Sequence, residues 1–190
     1  CRERVRRVEQ PHPVLAKSAT RNGRYYIADN FLRSWLTALA APAASVNFRP
    51  VEDLIREADE RLAETEGHGL ERLVGTLYEE RSRKGLEGFR LTRRVQGFWD
   101  RGDTEIDLVA LNEHDRIVRL GTCKRAAEKL APDFERFESH VARFLEHACQ
   151  VRGWRIEKAA ITTRHSKATR HAAERAGYLP QDLGDLTTGL

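Results

Sequence analysis

The chain has 190 residues, of which 33% are charged and 40% hydrophobic, with a net charge of +4. Mean hydropathy is -0.61. That balance describes a globular chain rather than a disordered one, with room for one sizeable core, and no apolar run approaches the roughly 20 residues of a membrane span.

Residues 3–28 read as the remains of a hairpin. Arg4–Val8 and Val14–Ala19 are candidate extended pieces, Asn22–Gly23 is a tight-turn signal, and Tyr25–Ala28 returns. Asp29 is a candidate N-cap, followed by Phe31, Leu32, Trp35, Leu36 and Leu39 at helical spacing. Phe31 and Trp35 are expected in the core, and Pro42 and Pro50 bracket a loop. Val51–Thr65 predicts an amphipathic helix with Leu54, Ile55, Ala58 and Leu62 inward. Gly67 and Gly69 then break it, and Leu70, Leu73, Val74, Leu77 and Tyr78 begin a second helix ending near Gly85. Strands are expected over Phe89–Trp99, Thr104–Leu111 and Ile117–Cys123. A helix follows over Pro132–Arg152, a strand over Arg155–Thr162, a helix over Ser166–Ala176, and an edge strand or turn over Tyr178–Leu186. The order predicts an α/β layer around a mixed sheet.

Cys1, Cys123 and Cys149 show no paired metal spacing and make an odd number. That pattern fits a reducing cytoplasm. Cys123 reads as a small buried hydrophobe. The chain starts at Cys1 and contains no methionine, and is expected to be a piece of a longer protein.

The segment Gly102–Lys124 carries the chemistry. Alternation along a strand puts Glu105 and Asp107 on one face and Ile106 and Leu108 on the other. Thr122 and Lys124 share a face of the next strand. If the two strands pair, Asp107, Thr122 and Lys124 meet at one sheet end, and Glu71 on the preceding helix can lean over them. One or two carboxylates suffice to hold Mg²⁺ with open water positions, and a neighbouring lysine can orient the attacking water. Two basic clusters, Arg81–Arg94 and Arg164–His171, are candidates for following a nucleic-acid backbone, against the plainer reading of solvated faces. The histidines lack ligand spacing and read as surface or core residues.

Four segments, YYIADNFLRSWL (25–36), GHGLERLVGTLYEE (67–80), RGDTEIDLVAL (101–111) and GTCK (121–124), resemble a known family. It is the PD-(D/E)XK nuclease-like domain at the C-terminus of a prokaryotic, largely archaeal, family of P-loop ATPases. The resemblance follows the order of elements over residues 20–187. It implies a restriction-endonuclease-like core (α-β-β-β-α-β) with a mixed central sheet over residues 43–190, preceded by a winged-helix remnant and connecting helix over 1–42. By the resemblance, Glu71, Asp107 and Lys124 occupy the catalytic positions, with Glu71 and Asp107 as ligands of Mg²⁺. DNA and an N-terminal P-loop ATPase domain of the same polypeptide are the implied partners. No G-x-x-x-x-G-K-S/T run occurs here, so this segment does not itself bind ATP in that way.

Thr122 stands where the family carries glutamate. A neutral hydroxyl is a poor ligand for a hard cation, so hydrolysis is expected to be impaired. Glu105 and Glu128 are candidate replacements. The alternative is an inactive module that binds DNA or a protein.

Overall fold

The computed structural model describes residues 8–9, 26–27, 29–86, 89–100 and 104–190. Contacts divide the chain into two compact units, with the boundary at Gly69 and Leu70. The boundary expected near residue 42 falls inside the first unit. Among the described residues, no helix is long and apolar enough to cross a membrane.

In the first unit β1 (Val8–Glu9) pairs antiparallel with β2 (Tyr26–Ile27). The remaining strand and turn segments expected over 3–28 lie outside the described residues. The Oδ1 of Asp29 accepts the Leu32 N–H at 2.8 Å and caps α1 (Asn30–Ser34). Asp29→Ala is expected to cost about 1 kcal/mol, read from urea denaturation. A π turn over Trp35–Leu39 leads into α2 (Ala40–Ala44), in which the Ala40 N–H reaches back to the Trp35 carbonyl. Pro42 is therefore buried inside a helix and does not open a loop. The widened turn before it shifts the hydrogen-bond ladder where the proline has no N–H to give.

Phe31 and Trp35, expected in the core, are 75% and 41% exposed, with ring centroids 6.5 Å apart. Helical spacing identifies an apolar stripe but does not identify what covers it.

One helix, α3 (Val51–Lys84), replaces the two expected, and the unit boundary falls within it. Gly67 and Gly69 do not break it. A helical glycine costs only about 1 kcal/mol relative to alanine and, unlike proline, removes no hydrogen bond. In the first unit Leu54 is buried and Ile55 exposed. In the second Leu70, Val74 and Tyr78 are buried, while Leu73 faces out.

The second unit is a five-stranded mixed sheet in the order β3 (Gln96–Trp99), β4 (Glu105–Asn112), β5 (Ile117–Lys124), β6 (Arg155–Thr162), β7 (Leu179–Asp182). The β3–β4 and β4–β5 pairs are antiparallel, and β5–β6 and β6–β7 are parallel. The fold class is α/β. Strand β3 is shorter than expected because the backbone before it bonds elsewhere. The Leu91 N–H goes to the Ser82 hydroxyl, and the Val95 N–H to the Glu79 carboxylate.

Helix α4 (Leu130–His147) covers one sheet face, with Phe137, Val141 and Phe144 against Ile106, Val109, Leu111, Val118 and Leu120. The C-terminal part of α3 and α6 (Leu183–Thr187) cover the other, with Val74, Tyr78 and Leu186 against Leu108, Ala110, Ile117, Cys123 and Ile161. Gly121 is needed on this second face. A Cβ there would lie 3.1 Å from Ile161 and 3.2 Å from Leu108, closer than packed side chains tolerate. Helix α5 (Lys167–Arg175) is capped by Ser166 and adds Ala173 to the α4 layer.

Candidate active site

The site begins with an irregularity in β4. Gln96 pairs with Val109, but Phe98 pairs with Ile106, so Gly97 alone stands opposite Asp107 and Leu108. This two-against-one arrangement is a β-bulge. A Cβ on Gly97 would lie 3.2 Å from the Ile106 carbonyl, which explains the glycine.

The bulge corrects the simple alternation. Ile106 packs in the α4 layer and Leu108 in the α3 layer, so they do not share a face. Strict alternation back from Val109, which also packs under α4, would have directed Asp107 toward α4. The extra residue frees Asp107 from that alternation, and its carboxylate bonds the backbone of β5 within electrostatic reach of Glu71 on α3.

Strands β4 and β5 are neighbours, as the site requires. Leu108 pairs with Gly121, where the ladder ends, and Asp107 and Thr122 follow those two residues toward the same end. The Asp107 Oδ2 accepts the backbone N–H of Cys123 at 2.7 Å, and the Thr122 Oγ1 is 3.5 Å from the same oxygen. Burial, reinforced by the negative charge of Glu71, pushes the Asp107 carboxyl up to about 7. The Cys123 N–H and the Lys124 ammonium oppose the rise, and Glu105 adds to it. The buried Cys123 thiol is pushed well above its ordinary range by burial and by the charges of Asp107 and Glu71, which makes it a poor nucleophile.

Lys124 is near Asp107 but engaged elsewhere. Thr122 and Lys124 share the face of Val118 and Leu120, under α4. The Lys124 Nζ is 3.1 Å from the Asp133 Oδ2 in the first turn of α4, and Asp133 is also paired with Arg136 at 2.6 Å. The structure therefore gathers Asp107 and Glu71 in mutual electrostatic reach, with Lys124 near Asp107 but ion-paired to Asp133. Asp133 was not legible in the sequence as part of this group. Its one signal is an acid in the first turn of the helix after the lysine. Thr122 is only 2% exposed. Glu105 is exposed, with the His140 Nδ1 at 2.7 Å from its carbonyl oxygen, and Glu128 is exposed on the turn Ala127–Lys129.

Among the described residues, no group of three or more His, Cys, Asp or Glu side chains is arranged to hold a metal ion. The acids at hand are Asp107 and Glu71, and one Asp107 oxygen already accepts a backbone N–H. Two carboxylates can hold Mg²⁺ with waters, but this Asp107 oxygen is committed to the backbone, which leaves the pair short of free oxygens for near-octahedral ligation.

The basic clusters are largely paired within the chain. Arg83 pairs with Glu80, Arg93 with Glu113, and Arg94 with Glu79. Arg81 donates to the carbonyls of Leu186 and Thr188. In the second cluster Arg170 pairs with Asp182 and Asp185, and the His165 ring lies against the Ala160 carbonyl and the Thr169 hydroxyl. Arg90, Arg164 and Lys167 are exposed.

No family model, curated protein or solved structure matches this chain.

Proposed function

We propose that the second unit is a nuclease-like domain of the PD-(D/E)XK type that has lost hydrolysis and acts as a nucleic-acid-binding module. In this reading its restriction-endonuclease-like core serves a P-loop ATPase domain on the same polypeptide. Asp107 and Glu71 are the remaining acids and Lys124 the remaining lysine of the ancestral centre. The observation that carries the reading is the placement of Asp107 and Lys124 at one end of the adjacent β4 and β5, with Glu71 in electrostatic reach of Asp107. Two features support the loss of hydrolysis. Thr122 supplies a hydroxyl where a third acid would complete the ligand set, and Asp133 neutralises Lys124. Weak binding of Mg²⁺ follows from the commitment of an Asp107 oxygen to the Cys123 N–H and the neutral hydroxyl at Thr122.

The test uses supercoiled plasmid with Mg²⁺ or Mn²⁺, alongside anisotropy of a labelled duplex at rising salt. No nicking is expected, and duplex binding is expected to weaken steeply with salt. Nicking that disappears in Asp107→Ala refutes the inactive reading in favour of an enzyme. The absence of both nicking and duplex binding favours a second reading, a protein-interaction module. The internal pairing of the basic clusters is the observation on that side.

A further inference from the structure

At the first residues of β5 and β6, the strand ends remote from Lys124, a cleft of about 480 Å³ opens over Ile117, Arg119, Arg155 and Glu157 and is walled by Phe89 and Leu179. The parallel register sets Ile117 beside Arg155 and Arg119 beside Glu157, so these four side chains share one face.

Arg119 is fixed. Its side chain is 10% exposed, and its guanidinium carbon lies 4.5 Å from the Phe89 ring centroid and 5.7 Å from that of Tyr78. Its Nε and Nη2 donate to the Glu157 Oε2 at 3.0 Å and 2.8 Å. That pair already neutralises Glu157. Arg155 adds a second guanidinium, 3.1 Å from the other carboxylate oxygen, and its side chain is 66% exposed. Two cations against one anion leave a single net positive charge in a cleft with apolar walls.

We infer that this cleft binds a small aromatic carboxylate. The carboxylate meets the guanidinium of Arg155, whose planar donor fork matches two carboxylate oxygens. The ring lies against Phe89 and Leu179, where it leaves water. The cleft volume lies in the range of small-ligand sites. One net charge suits a monoanion better than a phosphate dianion, and the apolar walls favour a ligand with a hydrocarbon body. This site is independent of the Asp107 centre.

The experiment is equilibrium dialysis of the full chain against 2-naphthoate, and in parallel against the uncharged 2-naphthalenemethanol. The naphthoate is expected to bind with a dissociation constant below about 1 mM and the alcohol about tenfold more weakly. Arg155→Ala, at an exposed position, is expected to remove about tenfold of the naphthoate affinity and to leave the alcohol unchanged. Leu179→Asp is expected to weaken both compounds. Far-ultraviolet circular dichroism of each variant confirms the fold. Equal retention of the two compounds, naphthoate binding indifferent to Arg155→Ala, or no retention at all overturns the assignment. So does displacement of naphthoate by inorganic phosphate more effectively than by benzoate, which would make this a phosphate site.

Discussion

Asp107→Asn is expected to make the protein more stable above neutral pH, by on the order of a few kcal/mol, since each pH unit between the ordinary and the raised value of the carboxyl is worth about 1.36 kcal/mol. The wild-type carboxyl is raised from its ordinary value of 3.8 to about 7, first by burial and then by Glu71. The folded state therefore holds a proton that the unfolded chain has already released between those two pH values. Wild-type stability falls as pH rises through this window and levels off above it, because the buried carboxylate must then carry its charge. Asparagine carries none. Its side-chain oxygen can still accept the Cys123 N–H, and Lys124 keeps its partner Asp133.

The measurement is urea denaturation of both proteins from pH 4 to pH 8.5. The stability difference should be near zero at the acid end and widen toward neutrality. Glu138 and Asp182, whose carboxyls are held below their ordinary values, impose the opposite slope, with stability lost as pH falls. They do so equally in both proteins and cancel in the difference. The groups acting on Asp107 are Glu71 from α3, Cys123 and Lys124 from β5, and Glu105 from its own strand. Glu71→Gln removes one of the causes. In that background the stability gained from Asp107→Asn at pH 8.5 is expected to be smaller than in the wild-type background. A constant difference across the range, or a destabilised Asp107→Asn, would refute the buried-carboxyl account.

Much of the second unit was legible because its elements each bury a patterned face. Strands β5 and β6 and helix α4 have one side or both against the core, and their apolar residues recur at the period of the element. The neighbourhood of Asp107 and Lys124 followed from that pattern, since a short turn between antiparallel strands leaves few registers. What the sequence withheld was tertiary. The bulge adds one residue to β4 and changes which layer Ile106 faces, while its only local trace is Gly97 on the partner strand. The engagement of Lys124 by Asp133 depends on how α4 packs over the end of β5. Phe31 and Trp35 show the same gap in the first unit. Their spacing is correct for a buried face, yet they remain exposed. Gly67 and Gly69 show the converse, where a strong local stop signal was overridden within one long helix.

Placing an acid at position 122 is the sharper test of the proposed nuclease descent. Thr122 is buried, with its hydroxyl 3.5 Å from the Asp107 carboxylate. Thr122→Glu adds a negative charge beside Asp107, with Glu71 in electrostatic reach. Without metal, this crowding is expected to destabilise the protein by about 2 kcal/mol, because an uncompensated buried charge is costly. With Mn²⁺ the same three acids become ligands, and binding to the folded state returns about 2.7 kcal/mol at a hundredfold excess over the dissociation constant. The thermal midpoint of Thr122→Glu should therefore start below wild type and climb as Mn²⁺ is added, while wild type barely responds. Thr122→Gln has nearly the same size without the charge, and should show no climb. If Thr122→Glu and Thr122→Gln respond alike to Mn²⁺, position 122 is not the missing ligand, and the descent of this site from a metal-dependent nuclease loses its main support. If Thr122→Glu also nicks plasmid with Mn²⁺, the lysine has been recovered as well. The carboxylate introduced at position 122 would then have drawn Lys124 away from Asp133, and the centre would lack nothing but the acid.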